Sequence, residues 1–265
     1  MPRIHAGSEA CEKGEEAEEA GGTEVDPEDH EQIELAAQVR EASQEHAPGQ
    51  LQGPSSRGEA RGRTVTPARL IDQLAERGFG VADGFVDDKL LAELRERCVE
   101  LHQSGGLRPA RVGRGSREQV ATEVRGDFIS WLETPERDAE QRVLGRLDEL
   151  RSSLNRALMT GLEDFQGHFA LYPRGAGYAR HFDRLVGSDV RAISAALYLN
   201  DGWAEEDGGQ LRLYVGGGNS VDVLPEGGRL VAFLSDKFEH EVLPARRERM
   251  SFTGWFRRRP LEGFV

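Results

Sequence analysis

The spacing of apolar residues changes once along this chain of 265 residues, near Phe165. Before Phe165, apolar residues recur every three or four positions, which is typical of amphipathic helices. After it, apolar and polar residues alternate, which is typical of strands with one buried face. A run of helices followed by a run of strands predicts an antiparallel sheet structure with helices packed against it.

Three segments before the change predict helices. The first begins at Thr66-Pro67, with Thr as the cap and Pro in the first turn, and ends at Gly78. The second begins at Asp87 or Asp88, and the third spans about 135–159. The buried side of the second helix is predicted to hold Leu90, Leu91, Leu94, Cys98 and Leu101.

Eight short segments after the change predict strands, and glycine-rich turns separate several of them. Eight strands at this spacing favour a jelly roll: a mainly β fold with flanking helices on the outside of one sheet. The predicted strands are 167–173, 177–183, 190–200, 209–215, 220–223, 228–234, 239–243 and 248–257.

The first sixty residues differ in composition from the rest. They carry 15 acidic and 4 basic side chains, a net −11 of the chain's −13, and no Phe, Trp or Tyr precedes Phe79. Such a segment cannot bury enough apolar surface to offset the entropy of ordering it. We therefore predict a disordered acidic tail at 1–62 and one domain at 63–265, with a helical part at 63–162 and a β core at 163–258.

Several classes of protein are disfavoured. The sequence has no apolar run near the roughly 20 residues that span a bilayer, and its start lacks the apolar stretch of a secretory signal. Cys11 and Cys98 form neither a disulfide framework nor a zinc site. We expect a cytoplasmic protein without a membrane or nucleic-acid partner, although the charge argues only weakly against nucleic acid because the tail supplies most of it.

A candidate metal-binding pattern lies in the β region. His181 and Asp183 are two apart on a predicted strand and therefore share a face, and His240 begins another strand. Two histidines and one carboxylate are the ligands of non-haem Fe(II) oxygenases. Taken alone the pattern is weak, because exposed H-x-D pairs are common. His168 is predicted to be a strand histidine with a local hydrogen bond rather than a fourth ligand.

The predicted strand 248–257 places an arginine on an inner face. Arg249, Ser251, Thr253 and Trp255 alternate with the apolar residues of the strand. A buried arginine needs an anionic partner, and its planar fork suits a carboxylate. Either a bound ligand or an ordinary Asp or Glu side chain meets that need, and this strand leaves both open.

The predicted strand 190–200 carries small residues on one face. Ala192, Ser194 and Ala196 would leave a hole beside the hydroxyl of Tyr198. A small dicarboxylate fits such a hole.

Longer segments of the chain resemble the 2-oxoglutarate- and Fe(II)-dependent prolyl 4-hydroxylases, above all the hypoxia-inducible-factor prolyl hydroxylases and their bacterial relatives. The resemblance covers roughly 66–258 in the right order and implies a double-stranded β-helix, which is the jelly roll predicted above. The segments that carry it are VRGDFISWLE, YPRGAGYARHFD, RAISAALYLND, DGGQLRLY, GGRLVAFLSD and HEVLPARRERMSFTGWF.

The resemblance implies a role for individual residues at the iron and the cosubstrate. Arg249 and Tyr198 would bind the distal carboxylate of 2-oxoglutarate, with Tyr172 and Ser251 beside it. The turn between Tyr172 and the H-x-D motif is one residue shorter than in the animal enzymes, which leaves the role of Tyr172 less defined. The Fe(II) ligands would be His181, Asp183 and His240.

The resemblance also implies a substrate side. Trp255 and Tyr178 would line it, and Asp127 would pair with Arg191 to tie a mobile loop to the core. The Gly-, Arg- and Ser-rich segment 103–124 would be a lid, since loops of this length are usually lids, binding loops or disordered.

The function implied is hydroxylation of a prolyl residue in a protein or peptide, with release of succinate and CO₂. Fe(II), 2-oxoglutarate and O₂ would take part, ascorbate is a candidate reductant, and oxygen sensing is compatible with this chemistry. We expect a monomer. The alternatives are the same chemistry on a free amino acid or other small metabolite, and a non-catalytic metal-binding β-sandwich that acts as a sensor.

Overall fold

The computed structural model describes residues 67–111, 120–121, 123–183 and 190–259. The predicted acidic tail at 1–62, the cap residue Thr66 and the middle of the predicted lid lie outside the described residues.

Three helices precede most of the strands. They are α1 (Pro67–Arg77), α2 (Asp88–Gln103) and α3 (Asp138–Leu158), close to the predicted bounds. Asp87 caps α2 by accepting a hydrogen bond from the Leu90 backbone N–H at 2.7 Å. None of these helices is long and apolar enough to cross a membrane.

The strands form two antiparallel sheets. In the described residues, the large sheet has the order β1-β9-β6-β11-β4-β3-β2 and the small sheet the order β5-β10-β7-β8. The strands are β1 (Phe79–Ala82), β2 (Arg108–Pro109), β3 (Phe128–Trp131), β4 (Leu162–Tyr172), β5 (Tyr178–His181), β6 (Arg191–Tyr198), β7 (Leu211–Gly216), β8 (Asn219–Val223), β9 (Leu230–Leu234), β10 (His240–Val242) and β11 (Arg249–Arg258).

The main hydrophobic core lies between the helices and the outer face of the large sheet. Leu94 of α2 and Leu150 of α3 belong to the same buried cluster as Phe252 and Phe256 of β11. A second cluster fills part of the space between the two sheets. The jelly roll with helices outside one sheet is therefore confirmed.

Strand β11 divides its side chains between these two spaces as its alternation predicts. Met250, Phe252 and Phe256 pack toward the helices. The residues between them line the cavity between the sheets; they are Arg249, Ser251, Thr253 and Trp255.

Strand β6 departs from simple alternation at one position. Ile193 pairs with Phe256 and Arg191 pairs with Arg257, so Ala192 is an extra residue in the ladder. Such a β-bulge reverses the alternation, and it brings Arg191 to the cavity side of the sheet. The prediction that Ala192 lines the cavity is therefore wrong: this residue belongs to the core on the helix side.

Strand β3 was not among the predicted strands, and β4 begins five positions before its predicted start. Both extend the large sheet, since β3 pairs with β4 from Phe128 opposite Leu171 to Trp131 opposite His168.

Candidate active site

The two candidate histidine ligands lie opposite each other on adjacent strands of the small sheet. His181 ends β5, His240 begins β10, and the two are partners in the ladder. Asp183 follows two residues after His181, with its carboxylate oxygens 3.7 Å from His181 Nε2 and 3.6 Å from His240 Nε2. One donor atom from each residue lies within 4.8 Å of the others. The structure therefore brings together the three predicted ligands.

Hydrogen bonds fix which ring nitrogen each histidine presents. His181 Nδ1 lies 2.7 Å from the Ala179 carbonyl oxygen, and His240 Nδ1 lies 3.3 Å from that of Phe238. A carbonyl oxygen only accepts, so each Nδ1 carries a proton, and each Nε2 faces the Asp183 carboxylate and is the nitrogen that would bind a metal. Burial and the nearby His181 lower the pKa of His240 to about 4, which keeps its imidazole neutral.

The carboxylate of Asp183, the third candidate ligand, stays ionised. Burial by itself would raise the pKa of Asp183, but His240, His181 and the Ser194 hydroxyl hold it well below its usual range. Two imidazole nitrogens and one carboxylate suit a divalent metal with open coordination positions, as in the facial triad of Fe(II) oxygenases. The residues present therefore fit an Fe(II) ion.

Arg249 lies in the same cavity and is buried, with only 3% of its surface exposed. Its Nε donates a hydrogen bond to the Gly209 carbonyl oxygen at 2.9 Å, and its guanidinium carbon lies 5.1 Å from the Tyr172 ring centre and 5.0 Å from that of Tyr198. Among the described residues, no carboxylate pairs with it. The alternative of an Asp or Glu partner is therefore not found in this part of the chain.

The buried hydroxyl of Tyr198 also has no hydrogen-bond partner among the described residues. Ser251 is buried beside it, since the two are partners in the β11–β6 ladder. A buried cation without a counter-ion and a buried phenol without a hydrogen-bond partner both lose free energy unless a ligand satisfies them. This end of the cavity therefore fits the carboxylate of a small dicarboxylate such as 2-oxoglutarate.

Of the residues predicted for the substrate side, Trp255, Tyr178 and Asp127 line the same cavity, and Arg191 lies against Trp255. The guanidinium carbon of Arg191 lies 3.6 Å from the Trp255 ring centre, which is a cation–π contact, and its Nη1 donates to the backbone oxygen of Asp183 at 3.4 Å. Burial lowers the pKa of Arg191. Tyr178 stacks on His181, with ring centres 3.7 Å apart.

The pairing implied for Asp127 is wrong in the described structure. Asp127 accepts hydrogen bonds from Arg125 Nε at 2.7 Å and Nη2 at 3.0 Å, rather than from Arg191. The Arg125 guanidinium also lies over the Tyr178 ring, 4.8 Å from its centre. Arg125 was missed as a site residue, although it stands two positions before Asp127 in the segment VRGDFISWLE that carries the resemblance.

His168 is a second residue whose place in the cavity was not predicted from the sequence. It lines the cavity, fully buried, between Trp131 and Trp255, whose ring centres lie 4.6 Å and 5.7 Å from its own. Neither ring nitrogen has a hydrogen-bond partner in the described structure, so the predicted local hydrogen bond is wrong. Burial lowers the pKa of His168 to about 3. It lies outside the group of three candidate ligands, as predicted.

The cavity has a volume of about 580 Å³ including its open mouth. The cavity connects the three candidate metal ligands, Arg249 and the aromatic residues of the substrate side. Its wall is formed in part by Arg125, Asp127, His168, Tyr172, Tyr178, His181, Asp183, Ser194, Tyr198, His240, Arg249, Ser251, Thr253 and Trp255.

Comparison with known proteins agrees with this geometry. Residues 167–257 match the model of the 2OG-Fe(II) oxygenase superfamily. The chain is 34% identical over 198 residues to prolyl hydroxylase EGLN3 of Homo sapiens, covering 71% of this chain and 81% of that protein.

Solved structures show the same relationship. A prolyl-4-hydroxylase of Pseudomonas putida is 44% identical, with a TM-score of 0.67, and the match covers 73% of this chain and 100% of that one. A prolyl hydroxylase of Trichoplax adhaerens, solved with a peptide fragment of the hypoxia-inducible factor, is 30% identical, with a TM-score of 0.65 and coverage of 72% and 88%. The chain therefore belongs to the 2OG-Fe(II) oxygenase superfamily, enzymes that use Fe(II), 2-oxoglutarate and O₂, and is homologous to its prolyl hydroxylases.

Proposed function

We propose that this enzyme hydroxylates a prolyl residue in a protein or peptide and converts 2-oxoglutarate to succinate and CO₂. One observation carries the proposal. A single cavity holds the three candidate metal ligands and the buried Arg249, in a chain that is 44% identical to the whole of a bacterial prolyl-4-hydroxylase.

The metal would be held by His181, Asp183 and His240. Bound Fe(II) supplies the activation of O₂ that couples decarboxylation of 2-oxoglutarate to oxidation of the substrate. The protein would contribute the two imidazoles, each of which donates a hydrogen bond from Nδ1 to a backbone carbonyl oxygen, and the ionised carboxylate. These three groups leave the remaining coordination positions to the cosubstrate and O₂.

The cosubstrate would be held at its distal carboxylate by Arg249 and Tyr198. The bond from Arg249 Nε to Gly209 fixes the guanidinium, so its two terminal nitrogens are available to the carboxylate. The rings of Tyr172 and Tyr198 flank the guanidinium and exclude water from it. A water-free ion pair orients the cosubstrate more firmly than a solvated one.

The substrate would enter beside Trp255, where aromatic rings form the wall. The rings of His168 and Trp255 line the cavity there, with Trp131 against both, and offer an apolar surface to a proline ring. The related enzyme of Trichoplax adhaerens was solved with a peptide fragment, which supports a peptide substrate here. The lid role of 103–124, a cytoplasmic location, a monomeric state, oxygen sensing and the absence of membrane or nucleic-acid partners stay predictions from the sequence.

The experiment is a turnover screen of the full chain with Fe(II), 2-oxoglutarate, O₂ and ascorbate as the candidate reductant. Prolyl peptides and free amino acids are supplied in parallel. Mass spectrometry measures the oxygen incorporated into each substrate and the succinate released. We expect oxygen added to proline within a peptide, with the signal lost in Arg249→Ala. Turnover of free amino acids alone would favour the small-metabolite alternative. Binding of Fe(II) and 2-oxoglutarate with no turnover of any substrate would favour the non-catalytic sensor.

A further inference from the structure

The carboxylate ligand is held differently from the two histidines. His181 and His240 are fixed by the ladder between β5 and β10. Asp183 lies two residues beyond the end of β5, where that ladder no longer fixes the backbone. Its position in the triad therefore depends on side-chain contacts.

A serine of the opposite sheet provides such a contact. Ser194 of β6 has its Oγ 2.6 Å from Asp183 Oδ2. An ionised carboxylate only accepts hydrogen bonds, so the Ser194 hydroxyl is the donor. The bond is short, as expected for a hydroxyl that donates to a charged acceptor.

A second serine continues the chain of hydroxyls. Ser235 Oγ lies 2.8 Å from Ser194 Oγ, and both residues are almost completely buried, at 0% and 3% exposed. Since Ser194 has used its proton on Asp183, the proton between the two serines must come from Ser235. The direction of donation is therefore Ser235 to Ser194 to Asp183.

The bulge in β6 helps to place the second serine. Ser235 follows the last residue of β9, and its backbone N–H donates to the carbonyl oxygen of Ala192, the bulged residue, at 3.1 Å. The pairing of β6 with β9 is thereby extended past Leu234, which is opposite Ile193. The Ser235 hydroxyl is held next to Ser194 as a result.

We propose that Ser235 and Ser194 form a hydroxyl relay that orients the Asp183 carboxylate and thereby sets the affinity of the triad for its metal. Ser194 commits Oδ2 to a hydrogen bond and stops the carboxylate from rotating, while Ser235 locks the Ser194 hydroxyl in its donating direction. Chained hydrogen bonds of this kind strengthen one another. Both serines are positioning residues, because they act through Asp183. The inference rests on the proposed function only for the metal site, not for the substrate.

The test is a titration of the metal-free full chain with Mn(II), a redox-stable substitute for Fe(II), with free Mn(II) followed by electron paramagnetic resonance. Loss of a residue that orients a metal ligand weakens metal affinity by about 10- to 100-fold. We therefore expect Ser194→Ala to raise the Mn(II) dissociation constant by about tenfold or more. Ser194→Thr keeps the hydroxyl and is expected to stay near the wild-type value.

A double-mutant cycle separates the relay from packing. Ser235→Ala should raise the dissociation constant by a smaller factor in the wild-type background and have no effect in the Ser194→Ala background, because the relay is already broken there. Ser220→Ala is the matched control, a buried serine on β8 that does not line the cavity, and should leave Mn(II) affinity unchanged. Thermal melting of each metal-free variant checks the fold. If Ser194→Ala does not fold, Ser194→Thr and Ser235→Ala still carry the test.

Two results would contradict the proposed hydroxyl relay. One is a wild-type dissociation constant for folded Ser194→Ala, or for folded Ser235→Ala if the Ser194 variant does not fold. The other is an equal effect of Ser235→Ala in both backgrounds, which would mean that Ser235 acts by packing alone. Failure of the prolyl-hydroxylase proposal has a different signature, since the wild type would bind Mn(II) normally and hydroxylate no peptide.

Discussion

Arg249 donates a hydrogen bond from its Nε to the backbone carbonyl oxygen of Gly209 at 2.9 Å. The contact requires glycine at 209, because that residue has φ of 70° and a Cβ there would lie 3.2 Å from Arg249 Cδ and 2.9 Å from the Ala245 Cβ. The bond occupies Nε and leaves both terminal nitrogens for a ligand. This arrangement suits an arginine and not simply a positive charge, because the planar guanidinium holds Gly209 and still offers two donors to a carboxylate.

We predict that Arg249→Lys weakens 2-oxoglutarate binding nearly as much as Arg249→Ala does. Lysine keeps the charge but loses the bond to Gly209 and the two-point grip on a carboxylate, and a charge-assisted hydrogen bond contributes about 1.5–3 kcal/mol. The dissociation constant should rise by about 10- to 100-fold. The measurement is an anaerobic titration of the Fe(II) protein with 2-oxoglutarate, following the visible charge-transfer band. The Mn(II) affinity of both variants should be unchanged. A lysine variant that binds 2-oxoglutarate with wild-type affinity would contradict the role of the planar guanidinium.

We predict that breaking the ion pair between Arg125 and Asp127 destabilises the fold far more than breaking an ion pair at the surface. Asp127 is buried, so Asp127→Ala would leave the largely buried Arg125 without its partner. This should lower the free energy of unfolding by about 3–5 kcal/mol. Arg257, near the end of β11, forms a similar two-bond pair with Asp164 at the surface. Asp164→Ala should cost less than about 1 kcal/mol. Urea unfolding of both variants checks the contrast, and equal losses would refute it.

We predict that His168 makes the metal-free protein less stable in acid. Its folded pKa of about 3 lies below the ordinary value of 6.5, so the unfolded chain takes up a proton first as the pH falls. The contribution of neutral His168 to the free energy of unfolding is complete above pH 6.5. It is lost progressively between pH 6.5 and 3, by about 1.4 kcal/mol per pH unit. His168→Phe keeps a ring between the two tryptophans without this proton. Urea unfolding at pH 7, 6, 5 and 4 should therefore show a shallower pH dependence for the variant, whereas parallel curves would exclude the effect.

We predict opposite effects of alanine at two glycines. A Cβ at Gly254 of β11 would lie 2.1 Å from the Gln166 carbonyl oxygen, so Gly254→Ala would force β11 and β4 apart. The loss should be at least about 3 kcal/mol, at the upper end of overpacking effects. Gly145 of α3 has open space around its Cβ position among the described residues, so Gly145→Ala should stabilise the helix by about 1 kcal/mol. Thermal unfolding of both variants measures whether each substitution raises or lowers the stability of the fold.

Alternation along a single strand was enough to predict much of the cavity. On β11, Arg249, Ser251, Thr253 and Trp255 line the cavity because the side-chain period of two is fixed by local backbone geometry. The same rule predicted that His181 and Asp183 share a face, but β5 ends at His181, so the position of Asp183 depends on contacts such as that with Ser194. The change from helical to alternating spacing near Phe165 likewise predicted the jelly roll and the side on which its helices pack.

The pairing of distant strands decided the rest. The bulge at Ala192 brings Arg191 to the cavity side, and no local pattern marks it, because a bulge is a property of two strands and not of one. Asp127 bonds to Arg125 rather than Arg191, which the order of residues does not reveal.

The sequence by itself thus determined the two-sheet architecture, the candidate metal ligands and the buried arginine, because each depends on short-range periodicity and residue chemistry. Only the tertiary structure decided that Ser194 and Ser235, which stand on different strands, meet at the carboxylate of Asp183. That meeting depends on the register between β6 and β9 and on the approach of the two sheets, and hydrogen bonding and packing across the whole domain fix both.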